Sequence, residues 1–142
     1  MTVSDYQYLR VRRWKKRWRN SPRSRHFGAI DSSAPSNKYL KLIDHYSRSQ
    51  AALITQFRTN HTPLNLTLFR IKRAESPACP HCGGITVESI RHFILDCPHY
   101  ALARHTLRSE LGRKASEIPY LLGDHTGIKH FLRYVHATQR FK

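Results

Sequence analysis

Acidic residues are scarce in this sequence. Nine Asp and Glu stand against twenty-five Lys and Arg, which gives a formal charge of +16 and a pI near 10.5. Asp5, Asp31, Asp44, Glu75, Glu88, Asp96, Glu110, Glu117 and Asp124 are scattered along the chain. No set of them suggests a two-metal nuclease or polymerase site. A Gly-rich phosphate loop is missing, and so is a Gly-x-Ser-x-Gly elbow. Ten histidines offer bases, but none has a nucleophile at a recognisable spacing, so a non-enzyme is expected. Long apolar runs are also missing. Nothing approaches the roughly 20 residues of a membrane span, and the opening MTVSDYQYLR has no stretch of signal-peptide type. A membrane and a small-molecule substrate are therefore not expected as partners. The expected location is intracellular, in the nucleus or a cytoplasmic ribonucleoprotein, and the sequons at Asn60 and Asn65 then carry no glycan. Hydrophobic content is 39%, low for a globular domain, so a small core helped by a staple is expected. Internal repeats and low-complexity blocks are absent.

What is present is positive charge and helical periodicity. Such an excess of cations favours a polyanionic partner, because each contacted phosphate releases a counterion. Residues 4–20 predict a helix with Tyr8, Val11, Trp14 and Trp18 on one face. Asn20-Ser21-Pro22 ends it. Residues 21–37 are rich in Ser and Pro and read as a linker or ordered loop. The expected organisation is therefore a basic helix and linker over 1–36 and a helical domain over 37–142. Within the latter, 37–58 is helical with a break at Ser47–Ser49, and Asn60 is suited to the left-handed helix end. Further helices are predicted over 63–70, with Pro63 in the first turn, and over 98–112, bearing Tyr100, Leu102, Leu107 and Leu111 and stopped by Gly112. Two more follow, a short one capped by Ser116 and reaching Leu122, and a last one over 126–138.

All three cysteines fall in one stretch, CPHCGGITVESIRHFILDC, residues 79–97. The pattern Cys79-x2-Cys82-x9-His92-x4-Cys97 has the residue types and spacing of a tetrahedral zinc site. Pro80-His81 and Gly83-Gly84 supply the turn between and after the first two thiols. Residues 87–96 read as a short helix, with Glu88 near its positive end. An unwound final turn before Pro98 would bring Cys97 back beside His92. Two other readings compete: three buried, unliganded thiols, and a redox Cys-x-x-Cys, which lacks a thioredoxin-like strand–helix setting. His81, His99 and His105 compete with His92 for the fourth position. Four protein ligands leave no open coordination position, so one structural Zn2+ is expected in a knuckle over 77–100.

Three basic groups are candidates for nucleic-acid contact. Arg12, Arg13, Lys15, Lys16, Arg17 and Arg19, together with Arg10, surround the two tryptophans. Arg70, Lys72 and Arg73 precede the knuckle. Arg91, Arg104 and Arg108 flank it, with Arg113 and Lys114 close by. Phosphate contact is expected for the first group because no acidic residue balances it nearby. The tryptophan rings share the apolar stripe and are expected in the core; stacking of a base on an exposed ring is the competing reading.

The segments LITQFRTNHTPLNLTLFRI (53–71), SPACPHCGGITVESIRHFILDCPHY (76–100) and LRSELGR (107–113) resemble the C-terminal region of LINE-like (non-LTR) retrotransposon polyproteins, fungal ones above all. The likeness runs from Trp14 through the last helix, and the Cys/His motif is its specific part. In that family a Cys-Cys-His-Cys zinc segment follows reverse transcriptase and often ribonuclease H. The resemblance implies the ligand role for Cys79, Cys82, His92 and Cys97, and binding of element RNA or target DNA during target-primed reverse transcription, with other retrotransposon domains as possible neighbours. The family's Arg-Thr-Gly-His reads Arg58-Thr59-Asn60-His61 here, and Glu-Thr reads Glu88-Ser89. Polymerase, endonuclease and ribonuclease H parts are not in this sequence, so their activities do not carry over. The expectation is a mostly α fold, several short helices around a small CCHC zinc knuckle, serving as a non-catalytic nucleic-acid-binding module. A scaffold domain with a purely structural zinc is the alternative, and a degenerate nuclease fragment a third.

Overall fold

The computed structural model describes residues 1–33 and 37–141. Among these residues the fold is mostly α. The extended backbone that does pair is an isolated antiparallel bridge between Ala78 and Val87. No described helix is long and apolar enough to cross a membrane.

Helix α1 (Val3–Asn20) begins in a capping box, Thr2 with Asp5, which satisfies two otherwise orphaned N–H groups. Its stripe does not enter a core, contrary to expectation. No residue of α1 is buried, and Tyr8, Val11 and Trp14 are all exposed. The physical reason is that no element among the described residues covers them. Trp18 of the stripe does find a ring partner, the edge of Phe27 at 5.6 Å.

Helix α2 (Ser24–Ile30) occupies the stretch expected as a linker or loop. It is short and has few apolar anchors, so periodicity did not reveal it. Its order comes from tertiary contact: it packs on helices from later in the chain, and His26 Nε2 lies 3.1 Å from the Phe57 carbonyl. The expected boundary between residues 36 and 37 falls at 34–36, which lie outside the described residues.

Helices α3 (Lys38–Ile43) and α4 (Arg48–Thr59) divide where the serines suggested. Ser47 caps α4 in a box with Gln50, and Asn60 ends it at φ 61°. Helix α5 (Asn65–Arg70) starts two residues beyond Pro63. The start is set from a distance, because the Asn65 N–H donates to the Glu88 carboxylate at 2.7 Å. Helix α6 (Ala101–Leu111) stops at Gly112, φ 61°. Leu102 points outward on it, 83% exposed. Helix α7 (Ile118–Gly123) begins after Glu117, and no side chain caps it, Ser116 included. Helix α8 (His125–Thr138) is capped by Asp124, whose carboxylate accepts from the Thr126 and Gly127 N–H groups.

The core gathers around α8. Its Ile128, Phe131, Tyr134 and Val135 meet Leu121 and Leu122 of α7, Leu107 of α6, and Ile54 and Phe57 of α4. Each such side chain contributes about 1.5–3 kcal/mol on burial. Phe57 lies edge-on to Phe131 at 5.1 Å and tilted on Phe93 at 5.9 Å, so the helical body and the cysteine segment share one aromatic cluster. Gly127 permits the close crossing of α8 over α7, since a Cβ there would lie 2.1 Å from the Tyr120 carbonyl oxygen. Arg58 is buried beside this core. It donates to the Leu122 carbonyl at 2.7 Å and to Asp31 at 2.8 Å, and its guanidinium lies 4.2 Å from the Tyr39 ring centroid.

Candidate metal centre

The knuckle is two short pieces of backbone brought face to face. In the first, the bridge at Ala78 and Val87 continues as a Cys79 N–H to Thr86 carbonyl bond at 2.7 Å and a Glu88 N–H to Pro77 carbonyl bond at 2.9 Å. Between them the chain must reverse within a few residues. Gly83 and Gly84 do this at φ 63° and 78°, a left-handed pair that side chains rarely tolerate. The turn aims Cys79 and Cys82 at one point.

The second piece brings His92 and Cys97. Residues five apart do not share a face of an α-helix, and an unwound final turn was expected to solve this. The structure solves it differently. His92–Asp96 form a π-helical turn closed by the Cys97 N–H on the His92 carbonyl at 2.7 Å. The wider ring returns Cys97 to the side of His92. The helical stretch is also shorter than predicted, because Val87 belongs to the bridge and Glu88 precedes the first turn. Ser89 holds the entry, its Oγ accepting from the His92 N–H at 3.1 Å.

The four donor atoms of Cys79, Cys82, His92 and Cys97 lie within 4.8 Å of one another. Cys97 Sγ is 3.8 Å from Cys79 Sγ and 3.9 Å from Cys82 Sγ, and Cys82 Sγ is 3.4 Å from His92 Nε2. The thiols are not disulfide-bonded. Cys79, His92 and Cys97 are buried and Cys82 half-buried. Burial, with the neighbouring thiols adding to it, pushes the Cys79 thiol up to about 12 and raises Cys82 as well. Crowded sulfurs resist charge on their own, and a bound cation reverses that balance. The cluster can hold one metal ion. Of the competing histidines, His81 and His99 stack on each other at 3.6 Å, and His105 is exposed on α6; none is in the cluster.

Buried charges fasten the knuckle to the helices. Glu88 is 1% exposed. Rather than serving a helix dipole, its carboxylate takes two bonds from Arg140, at 2.9 and 2.7 Å, besides the Asn65 N–H. Asn65 Nδ2 donates to the Ala78 carbonyl at 2.8 Å. Arg104, expected to contact nucleic acid, is corrected to an internal brace. It is 6% exposed and donates to the Ile94 carbonyl at 3.0 Å and the Cys97 carbonyl at 2.7 Å. The π turn leaves those carbonyls facing it, and a guanidinium satisfies both. Arg140 and Glu88 escaped sequence reasoning because 52 residues separate them and no local pattern links them.

The other predicted contact residues are exposed. Arg12, Arg13, Lys15, Lys16, Arg17 and Arg19 surround α1, Arg70 ends α5 with Lys72 and Arg73 just beyond it, and Arg108 stands out from α6. Arg91 is exposed too, with Asp96 at 3.7 Å. Among the described residues, no cation of α1 forms an ion pair with a carboxylate. Comparison with known proteins finds no matching family model, curated protein or solved structure.

Proposed function

We propose that this chain is a non-catalytic nucleic-acid-binding module built on one structural zinc ion, as the tail of a LINE-like retrotransposon polyprotein would be. The observation that carries the zinc reading is the set of spacings between donors. A tetrahedral ion with zinc–sulfur bonds of about 2.3 Å separates its sulfurs by about 3.8 Å and a sulfur from an imidazole nitrogen by about 3.5 Å. The spacings of 3.8, 3.9 and 3.4 Å fit three of the six edges, and all four donors lie within 4.8 Å of one another. Cys79, Cys82, His92 and Cys97 fill all four positions, so the ion cross-links the knuckle and activates no water.

Support for the nucleic-acid reading is the placement of charge. The cations of α1, together with Arg70, Lys72, Arg73, Arg91 and Arg108, stand in solvent, where a polyphosphate can displace their counterions. Elemental analysis of protein purified without added metal tests the first part, with about one zinc per chain expected. Anisotropy titrations of labelled RNA and DNA across a salt series test the second. Affinity should fall steeply between low and physiological salt. Binding that ignores salt, or no binding, would leave the scaffold reading, with zinc holding the fold alone.

A further inference from the structure

Helix α1 wears its aromatic rings on the outside. Trp14 is 53% exposed, in an open recess lined by Arg10, Arg13, Lys16 and Arg17. At 3.6 residues per turn, Arg10 and Arg17 lie one turn to either side of the ring. Leaving an indole in water forgoes one of the larger burial gains available to a side chain. A ring left so, amid cations that pair with no carboxylate among the described residues, fits an occupant that is both flat and anionic.

Two features narrow the occupant. The apolar stripe is only about as wide as its own rings: Arg10 and Arg17 bound it on the Trp14 side, and Lys15 and Arg19 on the Trp18 side. A helix lying on a membrane needs a broad apolar face opposite one cationic face, and here Arg12, Arg13, Lys16 and Arg17 share the rest of the cylinder with Tyr6 and Leu9. A duplex offers phosphates but keeps its bases stacked on one another. A single strand offers phosphates and free base faces together.

We infer that Trp14 is a stacking platform for an unpaired base of single-stranded nucleic acid, with Arg10, Arg13 and Arg17 holding the adjacent phosphates. The inference rests on the nucleic-acid reading and deepens it by naming the strand state and the ring. Stacking of this kind is tolerant of sequence, because every base has a flat face.

The test uses the full zinc-loaded chain, a fluorescein-labelled oligothymidylate, a mixed-sequence duplex of equal length and vesicles containing phosphatidylserine. Trp14→Ala should weaken single-strand binding on the order of ten-fold and leave duplex binding nearly unchanged. Trp14→Phe keeps a ring and should stay close to wild type. Indole emission should be quenched by the single strand in wild type, with that quenching largely lost in Trp14→Phe. Arg13→Gln should weaken both strand forms alike and lower the salt slope by about one. Trp14 belongs to no buried cluster, and helicity and melting of each variant verify the fold. Equal single-strand binding by wild type and Trp14→Ala, or an equal loss on duplex, would overturn the platform while salt-dependent binding left the broader reading standing. Vesicle binding that shifts the Trp14 emission, without any base effect, would overturn it in favour of a membrane. Absence of binding to either strand form would sink both readings together.

Discussion

The helical body with its knuckle and helix α1 differ in what their arginines face. In the body, Arg58, Arg104 and Arg140 turn inward, and each holds backbone carbonyls or a carboxylate. On α1, Arg12, Arg13, Arg17 and Arg19 turn outward, and none pairs with a carboxylate among the described residues. A guanidinium carries its five donors on a stem long enough to reach either way. What decides is whether the fold presents unsatisfied oxygens within reach. The π turn and the crowded junction of α4 with α7 do so, and an isolated helix does not. A strong excess of positive charge is therefore not one signal. Part of it is structural and part is free for a partner, and only three-dimensional context separates the two.

On the zinc reading, the hardest blow to the body is removal of the metal. Structural zinc contributes about 10–16 kcal/mol in small modules, comparable to the whole stability of a domain. Chelation, or Cys97→Ser, should collapse the melting transition of the body while the far-ultraviolet signal retains a residual helical part. An unchanged midpoint in both cases would return the thiols to the role of ordinary core residues.

A smaller effect sharpens the contrast between arginines. Arg104→Met keeps the buried stem but leaves the Ile94 carbonyl without its donor and the Cys97 carbonyl with the Tyr100 N–H at 3.3 Å. At about 1–3 kcal/mol for a buried polar group left unsatisfied, urea denaturation should show a loss of about that size. Arg108→Met, one turn further along α6 and exposed, should lie within about 0.5 kcal/mol of wild type. Equal losses would erase the distinction between braces and free cations.

These arginines also mark where the sequence stopped being readable. The Cys/His spacing picked out the four side chains that the structure gathers, because residue chemistry and short-range spacing are local properties. So were Asn60 and Gly112 as helix ends, and Ser47 as the break before α4. Arg104 was placed with the surface cations because its i, i+4 neighbours Tyr100 and Arg108 say nothing about the carbonyls of a π turn. The rings of α1 were placed inside because periodicity reports an apolar face and not whether anything covers it. Helix α2 was missed because its order comes from contact with α4 and α7 rather than from its own pattern.

Acid probes the brace between α2 and α4. Burial alone would raise the Asp31 carboxyl, but bonds from Ser33 and the Arg58 guanidinium more than offset it and hold the group below its ordinary value of 3.8. A depressed carboxylate contributes stability that is fully present above that value and is lost as pH falls through the lowered one. Asp31→Asn should therefore be less stable than wild type at neutral pH, with the gap closing as pH drops below about 3.8. Denaturation midpoints measured across that range check the sign. A gap that persists in acid would assign the cost to lost hydrogen-bond geometry rather than to charge.

The smallest expected effect comes from the largest element removed. Truncating the chain before Ser21 deletes all of α1, yet the ring contact it removes from the body is Trp18 on Phe27. An aromatic pair of this kind contributes about 0.5–1.5 kcal/mol beyond its area, so the truncated chain should melt only a few degrees lower and keep its zinc. A helix that size is ordinarily retained by burying a face, and this one buries none. The stability of the body therefore does not account for this helix. If truncation instead unfolds the body, α1 is part of the core's support and its exposed rings lose their claim to be reserved for a partner.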